Sequence, residues 1–231
     1  GIIASVPIRL HTFTGQPWVT LGHPKKFMAM GADKLIGILN THCYADSHSQ
    51  REFLIKKKII DHDEISVLGE GSISGFDTDK FNRLNFNDIT VNSFKNELNI
   101  PLNFTIFLFV GRVVIDKGVL DLIKAFEEIA FNIDDIFLLI VGPREPGSKR
   151  IDSEHERVLF CEYTNNPEEY MSISNILCIP SYREGFGTVV IEAAAMGLPA
   201  IGTDIYGLTD SIVDNQTGLL VKPGDVNELK L

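Results

Sequence analysis

Short apolar runs alternate along this chain with longer stretches in which apolar residues recur every three or four positions. That rhythm predicts parallel strands wrapped by helices. Ile8–Thr12 reads as a strand, Lys25–Asn40 as a helix and His42–Ala45 as a second strand. Asp46 to Glu52 opens another helix, with Ser49 and Glu52 at capping-box spacing, and Ile65–Leu68 is a further short strand. The segment Gly69-Glu70-Gly71-Ser72-Ile73-Ser74-Gly75 is rich in glycine and serine and poor in apolar residues, so the domain boundary is expected there. Beyond it the rhythm strengthens. Phe104–Val110 and Ile136–Val141 have the continuous apolar character of strands buried on both faces, with the helical run Val119–Phe131 between them. Val158–Glu162 and Ile176–Ile179 are two more strands, separated by a helix around Pro167–Ser172. Pro199–Gly202 and Gly218–Val221 complete a sheet of about six strands. The expectation is an α/β chain of two parallel-sheet domains, an incomplete one over residues 1–69 and a nearly complete one over residues 70–231.

The loops that leave the strand C-termini hold nearly all the glycine-rich, charged sequence: Gly111-Arg112, Gly142-Pro143-Arg144-Glu145 and Pro180–Gly187. In open α/β sheets that edge is where ligands bind. The loop from Gly111 to Gly118 sets Arg112 and Lys117 between a buried strand and a helix start. Arginine can fork two phosphate oxygens, lysine adds a point charge and the helix start adds its dipole, a combination suited to a diphosphate. The bland alternative is an ordinary helix start with Lys117 in solvent. The loop lacks both the Gly-x-Gly-x-x-Gly spacing of a dinucleotide site and the Gly-Lys-Ser/Thr ending of a P-loop, which argues against NAD and ATPase chemistry.

The most informative stretch runs from Arg183 to Gly197, where Glu184 and Glu192 bracket an apolar turn and helix. Glu192 lies in a segment apolar on every side, so it needs a partner that its neighbours in sequence do not supply. Gly185 and Gly187 let backbone come close to a ligand, and the helix that follows aims its N–H groups at an anion. Together they make a site for an anion bearing hydroxyls, in which the two carboxylates accept from hydroxyls and the intervening amides hold phosphate. A surface loop charge is the plain alternative for Glu184, and an exposed helix end for Glu192.

Charge narrows the partners. The net charge is −10, but residues 1–69 carry 8 Lys and Arg against 6 Asp and Glu, while residues 70–231 carry 13 against 25. The acidic larger part excludes nucleic acid as a partner, since phosphate contacts need surplus cations. The mildly basic N-terminal part, with Lys25-Lys26 and Lys56-Lys57-Lys58, allows a weak peripheral contact with an anionic membrane surface. Cys43, Cys161 and Cys178 are odd in number and far apart in apolar stretches, so buried free thiols in a reducing, cytoplasmic compartment are expected. No run approaches the length of a membrane span and no charged-then-apolar leader is present, so the sequons at Asn103 and Asn215 read as accidental. Asp61-His62-Asp63 and Asp77-Thr78-Asp79 follow no buried strand and read as solvated turn acids, so no metal is expected. A first residue other than Met and a last segment part-way into a helix opened by Asp225 read as those of a fragment.

The combination of Gly111-Arg112 and Lys117-Gly118 with Pro180-Ser181, Glu184-Gly185-Phe186-Gly187, Glu192-Ala193 and Gly197-Leu198-Pro199 resembles the C-terminal, donor-binding domain of retaining GT-B glycosyltransferases, in particular glycosyltransferase family 4. The Glu-x7-Glu element is that family's mark, and Asn215-Gln216-Thr217-Gly218-Leu219-Leu220-Val221 is similar to the family's stretch before its last crossover helix. The resemblance covers nearly the whole chain and implies a GT-B, α/β fold of two Rossmann-like domains, the first only partly present. It implies transfer of a sugar, with retained configuration, from a nucleotide diphosphate sugar to an acceptor hydroxyl in the cleft between the domains, in cell-envelope or exopolysaccharide glycan synthesis. UDP is the favoured nucleotide, the acceptor a glycan or lipid-linked sugar, and no cofactor is needed. Arg112 and Lys117 would bind the diphosphate, the amides around Gly185, Phe186, Gly187, Thr188 and Val189 the distal phosphate, and Glu192 the ribose. Glu184 would face the sugar hydroxyls, and His11, in Arg9-Leu10-His11-Thr12-Phe13-Thr14-Gly15, would point towards the transferred sugar from the end of a strand. The family's front-face attack leaves the acceptor proton to the departing phosphate. Two other classes stand beside this reading: a nucleotide-sugar epimerase and a nucleotide-sugar-binding module without turnover.

Overall fold

The computed structural model describes residue 1, residues 3–145 and residues 151–230. The chain forms two α/β units. The first comprises Gly1–Gly75 with Tyr182–Gly187 and Ile205–Ser211, and the second Phe76–Ser181, Thr188–Asp204 and Ile212–Leu231. Leu231 itself, the last residue of the second expected domain, lies outside the described residues.

The first unit holds a parallel sheet of β1 (Leu10–Phe13), β2 (His42–Ala45) and β3 (Ile65–Val67), in that order. Helix α1 (Lys25–Leu39) links β1 to β2, and α2 (His48–Lys56) links β2 to β3. The first strand starts two residues later than the apolar run predicts. Arg9 bonds to Thr41 through the threonine hydroxyl and the ladder begins only at Leu10 opposite His42, which leaves Ile8 exposed. Phe13, Trp18, Cys43, Ala45, Leu54, Ile59, Ile60 and Ile65 form the core of this unit. Trp18 donates its indole N–H to Asp33 at 2.6 Å, so the one acid on the inner side of α1 is satisfied. The outer side of α1 leaves Phe27, Met28, Leu35 and Ile38 exposed beside Lys25 and Lys34.

Two expectations change in this unit. Ser49 does not cap α2. Ser47 does, its hydroxyl accepting from Gln50 N at 3.2 Å. Ser49 is drawn instead into a tertiary contact: its N–H and hydroxyl both donate to the Asp210 carboxylate, and its oxygen accepts from Gly207 N at 2.7 Å. The glycine-rich segment 69–75 also behaves less like a tether than its composition predicts. Ser72 N donates to the Asp46 carbonyl at 2.8 Å and Ile73 N to Asp46 Oδ1 at 3.0 Å, which ties the segment to the end of β2.

The second unit is built on a six-stranded sheet, parallel throughout: β4 (Thr105–Val110), β5 (Ile136–Val141), β6 (Val158–Cys161), β7 (Ile176–Ile179), β8 (Ala200–Thr203) and β9 (Gly218–Val221). The spatial order is β6-β5-β4-β7-β8-β9. Every residue of β5 is buried, as its unbroken apolar run predicts for a strand covered on both faces. Helices α4 (Val119–Ala130), α5 (Pro167–Ile173) and α6 (Thr188–Ala195) cross over between strands, and α7 (Leu208–Ser211) belongs to the first unit. Helix α3 (Asp88–Glu97) falls where the sequence predicts no element. Its signal is local and polar: Asn87 and Thr90 form a reciprocal capping box, while its sparse apolar positions make a weak helical period. Of the three thiols, Cys43 and Cys178 are buried and Cys161, at the end of an edge strand, is only half-buried.

Candidate functional site

In the second unit the sheet order creates one special edge. The chain starts the sheet at β4, adds β5 and β6 on one side and then returns to add β7, β8 and β9 on the other, so strand order reverses between β4 and β7. Loops leaving the C-terminal ends of those two strands diverge there, and ligands of open α/β sheets bind in that position. The two loops are Gly111–Gly118 and the segment starting at Pro180, the same ones that carry the candidate phosphate and carboxylate residues. Gly118 holds them together. It sits in the left-handed region (φ 69°), and a Cβ on it would overlap the Pro180 carbonyl, 2.7 Å from the carbonyl carbon. Only glycine permits both that backbone angle and that approach.

Arg112 and Lys117 lie on the first of these loops, Lys117 at the end of a short 3-10 turn (Ile115–Lys117) that passes directly into α4. Gly118 serves as N-cap of α4 without any side-chain cap, so the helix dipole faces the loop. Arg112 Nη1 donates to Glu145 Oε1 at 2.6 Å, and Val113 N donates to the Pro143 carbonyl at 2.9 Å, which joins the β5 exit to the β4 exit. Glu145 was not singled out from sequence as a partner of Arg112. The signal was present in its position, since its loop also leaves a central strand. Both side chains of the pair are about half exposed, so a phosphate could replace the carboxylate at small cost in stability.

Helix α6 begins at Thr188, immediately after Gly187, whose φ is 80°. The first turn of an α-helix directs backbone N–H groups outward along the axis, here those of Thr188 and Val189. Glu192 follows one turn later and is half-buried. Burial pushes its carboxyl above the ordinary carboxylate range, Lys80 pulls it back down, and Glu168 pushes it up again. The partner is thus remote in sequence, as the apolar surroundings of Glu192 require. A carboxyl with a higher pKa folded than unfolded adds stability that is complete below its unfolded value, about 4.3, and lost as the pH rises through the folded value. Glu192→Gln, which cannot ionise, is therefore expected to melt at a higher temperature than the parent at pH 7 to 8. The gain should shrink towards zero near pH 4, as differential scanning across that range would record.

His11, Glu184, Gly185, Phe186 and Gly187 all fall in the first unit. His11 is half-buried on β1, with its ring edge-on to Phe13 at 4.7 Å. The strand exit just beyond it, Thr14-Gly15, lies against the backbone of Glu184 and Gly185. The space a Cβ would need on Gly185 is taken by the chain itself: it would stand 2.8 Å from the Thr14 carbonyl carbon and 2.8 Å from Asp46 Oδ2. Phe186 is buried, its ring against Gly71. Glu184 is half-buried, its own carbonyl close to Gly207. His11 and the Glu184 turn thus belong to the first unit, and Arg112, Lys117, Thr188, Val189 and Glu192 to the second. The turn acids read as such from sequence are engaged locally: Asp77 Oδ1 accepts from the N–H groups of Asp79 and Lys80 at 2.9 and 3.1 Å, and His62 Nδ1 lies 3.1 Å from Asp63 Oδ1. Among the described residues no helix is long and apolar enough to cross a membrane.

Residues 91–231 match the family model described as glycosyl transferases group 1. The capsular polysaccharide biosynthesis glycosyltransferase CapM of Staphylococcus aureus is 30% identical over 232 residues, covering 97% of this chain and 60% of its own length. Among solved structures, sucrose-phosphate synthase from Thermosynechococcus elongatus superposes with a TM-score of 0.79 at 25% identity, over 96% of this chain and 56% of its own. Anabaena HepE, solved in complex with UDP and glucose, also gives a TM-score of 0.79, at 18% identity over 96% of this chain and 59% of its own. The chain thus spans three-fifths or less of the length of these proteins. The α/β architecture of GT-B type expected from the sequence is the one they share with it.

Proposed function

The chain belongs to the group 1 glycosyl transferases, and from that premise we propose that it serves a retaining, family 4 transfer of a sugar from a nucleotide diphosphate sugar to an acceptor hydroxyl. One observation carries this reading: the contact of Gly118 with Pro180, which sets the Arg112–Lys117 loop beside the segment leading to α6 at the point where strand order reverses. Cleaving the bond between sugar and phosphate builds negative charge on the diphosphate. Arg112, Lys117 and the N-termini of α4 and α6 stabilise that charge as it forms, which is the largest contribution a protein makes to such a step. No metal or other cofactor has a part in this assignment. Glu192 accepts from the ribose hydroxyls, Glu184 accepts from hydroxyls of the sugar, and His11 helps to orient it. With attack on the face the phosphate leaves, the departing phosphate takes the acceptor proton and configuration is retained.

UDP is favoured as the nucleotide, in keeping with the ligand of HepE. The acceptor is assigned to the glycans and lipid-linked sugars of envelope or capsular polysaccharide synthesis, the process in which CapM is named. The apolar outer side of α1 beside Lys25 and Lys34 suits an anionic membrane carrying such an acceptor, and co-sedimentation with anionic but not neutral vesicles is its test.

The reading is tested by thermal shift across UDP, GDP, ADP and their sugars, followed by analysis of the products. A nucleotide diphosphate at 100 times its dissociation constant adds about 2.7 kcal/mol, a rise of roughly 5–11 °C for a chain of this size. The expected product is a glycoside of retained configuration. An inverted glycoside, or a sugar isomer formed without acceptor, would contradict the assignment.

A further inference from the structure

The turn that carries Glu184 is flanked on two sides within the first unit. On one side are the exits of β1 and β2: a Cβ on Gly185 would overlap the Thr14 carbonyl and stand 2.8 Å from Asp46 Oδ2. Asp46 is itself fixed, its N–H donating to Gln50 Oε1 at 2.7 Å and its Oδ1 accepting from Ile73 N at 3.0 Å. On the other side is Gly207, at φ 88°. A Cβ there would lie 2.8 Å from the Gly185 carbonyl oxygen and 2.9 Å from that of Glu184. With backbone packed this closely, the turn shifts only if one of its two supports shifts first.

The second support is held by Ser49. Its hydroxyl accepts from Gly207 N at 2.7 Å and donates to the Asp210 carboxylate. The same carboxylate accepts from Ser49 N, which lies 3.2 Å from each of its oxygens. An acid distant in sequence thus satisfies a first-turn amide of α2 and lies favourably at the positive end of its dipole. Tyr206 anchors the chain just before Gly207: its ring stacks on Phe53 with centroids 4.4 Å apart, and its hydroxyl accepts from Gln16 N at 3.3 Å. Ser49 uses one oxygen as donor and acceptor together, so removing it undoes the bond to Gly207 N and the hydroxyl bond to Asp210 at once.

We propose that Ser49 is a positioning residue for sugar recognition: by seating Gly207 against the Glu184 and Gly185 carbonyls, it fixes where the Glu184 carboxylate meets the hydroxyls of the donor sugar. This rests on the reading of Glu184 as the group that faces that sugar. The consequence is selective. The nucleotide is assigned to residues of the second unit, so loosening the Glu184 turn costs the sugar's share of donor affinity and spares the share that UDP alone provides.

The test is calorimetry of UDP against UDP-glucose, UDP-galactose and UDP-N-acetylglucosamine, for the parent, Ser49→Ala, Ser49→Thr, Asp210→Ala, Glu184→Ala and Ile60→Val, with the melting temperature recorded for each. The parent is expected to bind one of the UDP-sugars about tenfold more tightly than UDP, the size of one hydrogen bond to a charged group. Ser49→Ala should leave UDP affinity within about twofold of the parent's, as for independent sites, while cutting that gain to about threefold or less. Asp210→Ala repeats the comparison from the other end of the bond and should do the same. Ser49→Thr keeps the hydroxyl and should keep the gain. Ile60→Val trims the first unit's core beside Gly37 of α1 and should melt lower with the gain intact, which separates positioning from mere bracing of the fold. The proposal falls, and the reading of Glu184 stands, if Glu184→Ala loses the gain while Ser49→Ala and Asp210→Ala keep it or lose UDP equally. It falls likewise if Ser49→Thr or Ile60→Val loses the gain as Ser49→Ala does. If Glu184→Ala keeps the gain, or the parent shows none with any of the three sugars, the reading of Glu184 falls and takes the proposal with it.

Discussion

Gly118→Ala is expected to lower the melting temperature by roughly 6–12 °C and to abolish nucleotide binding in whatever protein remains folded. Two costs combine at this position. A residue with a Cβ in the left-handed region gives up about 1–2 kcal/mol, and the added methyl must displace the Pro180 carbonyl, an overpacking cost of about 1–3 kcal/mol. A total of about 3 kcal/mol, at roughly 2–4 °C per kcal/mol for a chain of this size, gives that range. Gly197→Ala is the control: φ there is 82°, but nothing lies within 4 Å of the added Cβ. It carries the conformational cost alone and should melt only a few degrees below the parent, with binding intact. Equal losses in the two variants would mean that the contact between the β4 and β7 exits does not matter.

Lys117→Ala should weaken nucleotide diphosphate binding by roughly 10- to 150-fold, the equivalent of about 1.5–3 kcal/mol for a hydrogen bond to a charged group. Arg112→Ala should weaken it too. Arg112 already has Glu145 at 2.6 Å and must exchange it for phosphate, so part of what it gives the ligand is offset by what it leaves. For the same reason Glu145→Gln is expected to tighten binding slightly, by releasing the guanidinium. The distinguishing readout is the ligand series: the loss in Lys117→Ala should be large for UDP and small for uridine, which has no phosphate to hold. A loss of the same size for both would place Lys117 away from the diphosphate.

The sheet of the second unit was legible because burial on both faces demands unbroken apolar runs, and Phe107, Leu108, Leu139 and Ile140 supply them. The start of β1 moved by two residues where the Thr41 side chain meets Arg9. Helix α3 was hidden because its apolar positions are few and its strongest feature, the Asn87–Thr90 box, uses threonine where a glutamate or glutamine is the usual sign. Ser49 misled for the opposite reason. Its spacing to Glu52 fits a cap, but Asp210, far away in the chain, takes its hydroxyl. At the site, Arg112, Lys117 and Glu192 could be picked out by residue type and position relative to strand ends. Glu145 was open to the same reasoning, since its loop also leaves a central strand, but Lys80 and Glu168, the charges that act on Glu192, were not, because they come from segments remote in sequence. Strand order leaves no trace in local periodicity, and the switch between β4 and β7 was therefore visible only in three dimensions.

A nucleotide diphosphate is expected to bind at the C-terminal ends of β4 and β7, held by Arg112 and Lys117 on one side and by the first turn of α6 on the other. A crystal structure of the protein soaked with UDP tests it most directly. The expected result is a diphosphate within hydrogen-bonding distance of Lys117 Nζ and of the Thr188 and Val189 N–H groups, with the ribose hydroxyls on Glu192. Nucleotide lodged at any other edge of the sheet, or at this edge with Glu192 turned away from the ribose, would contradict it.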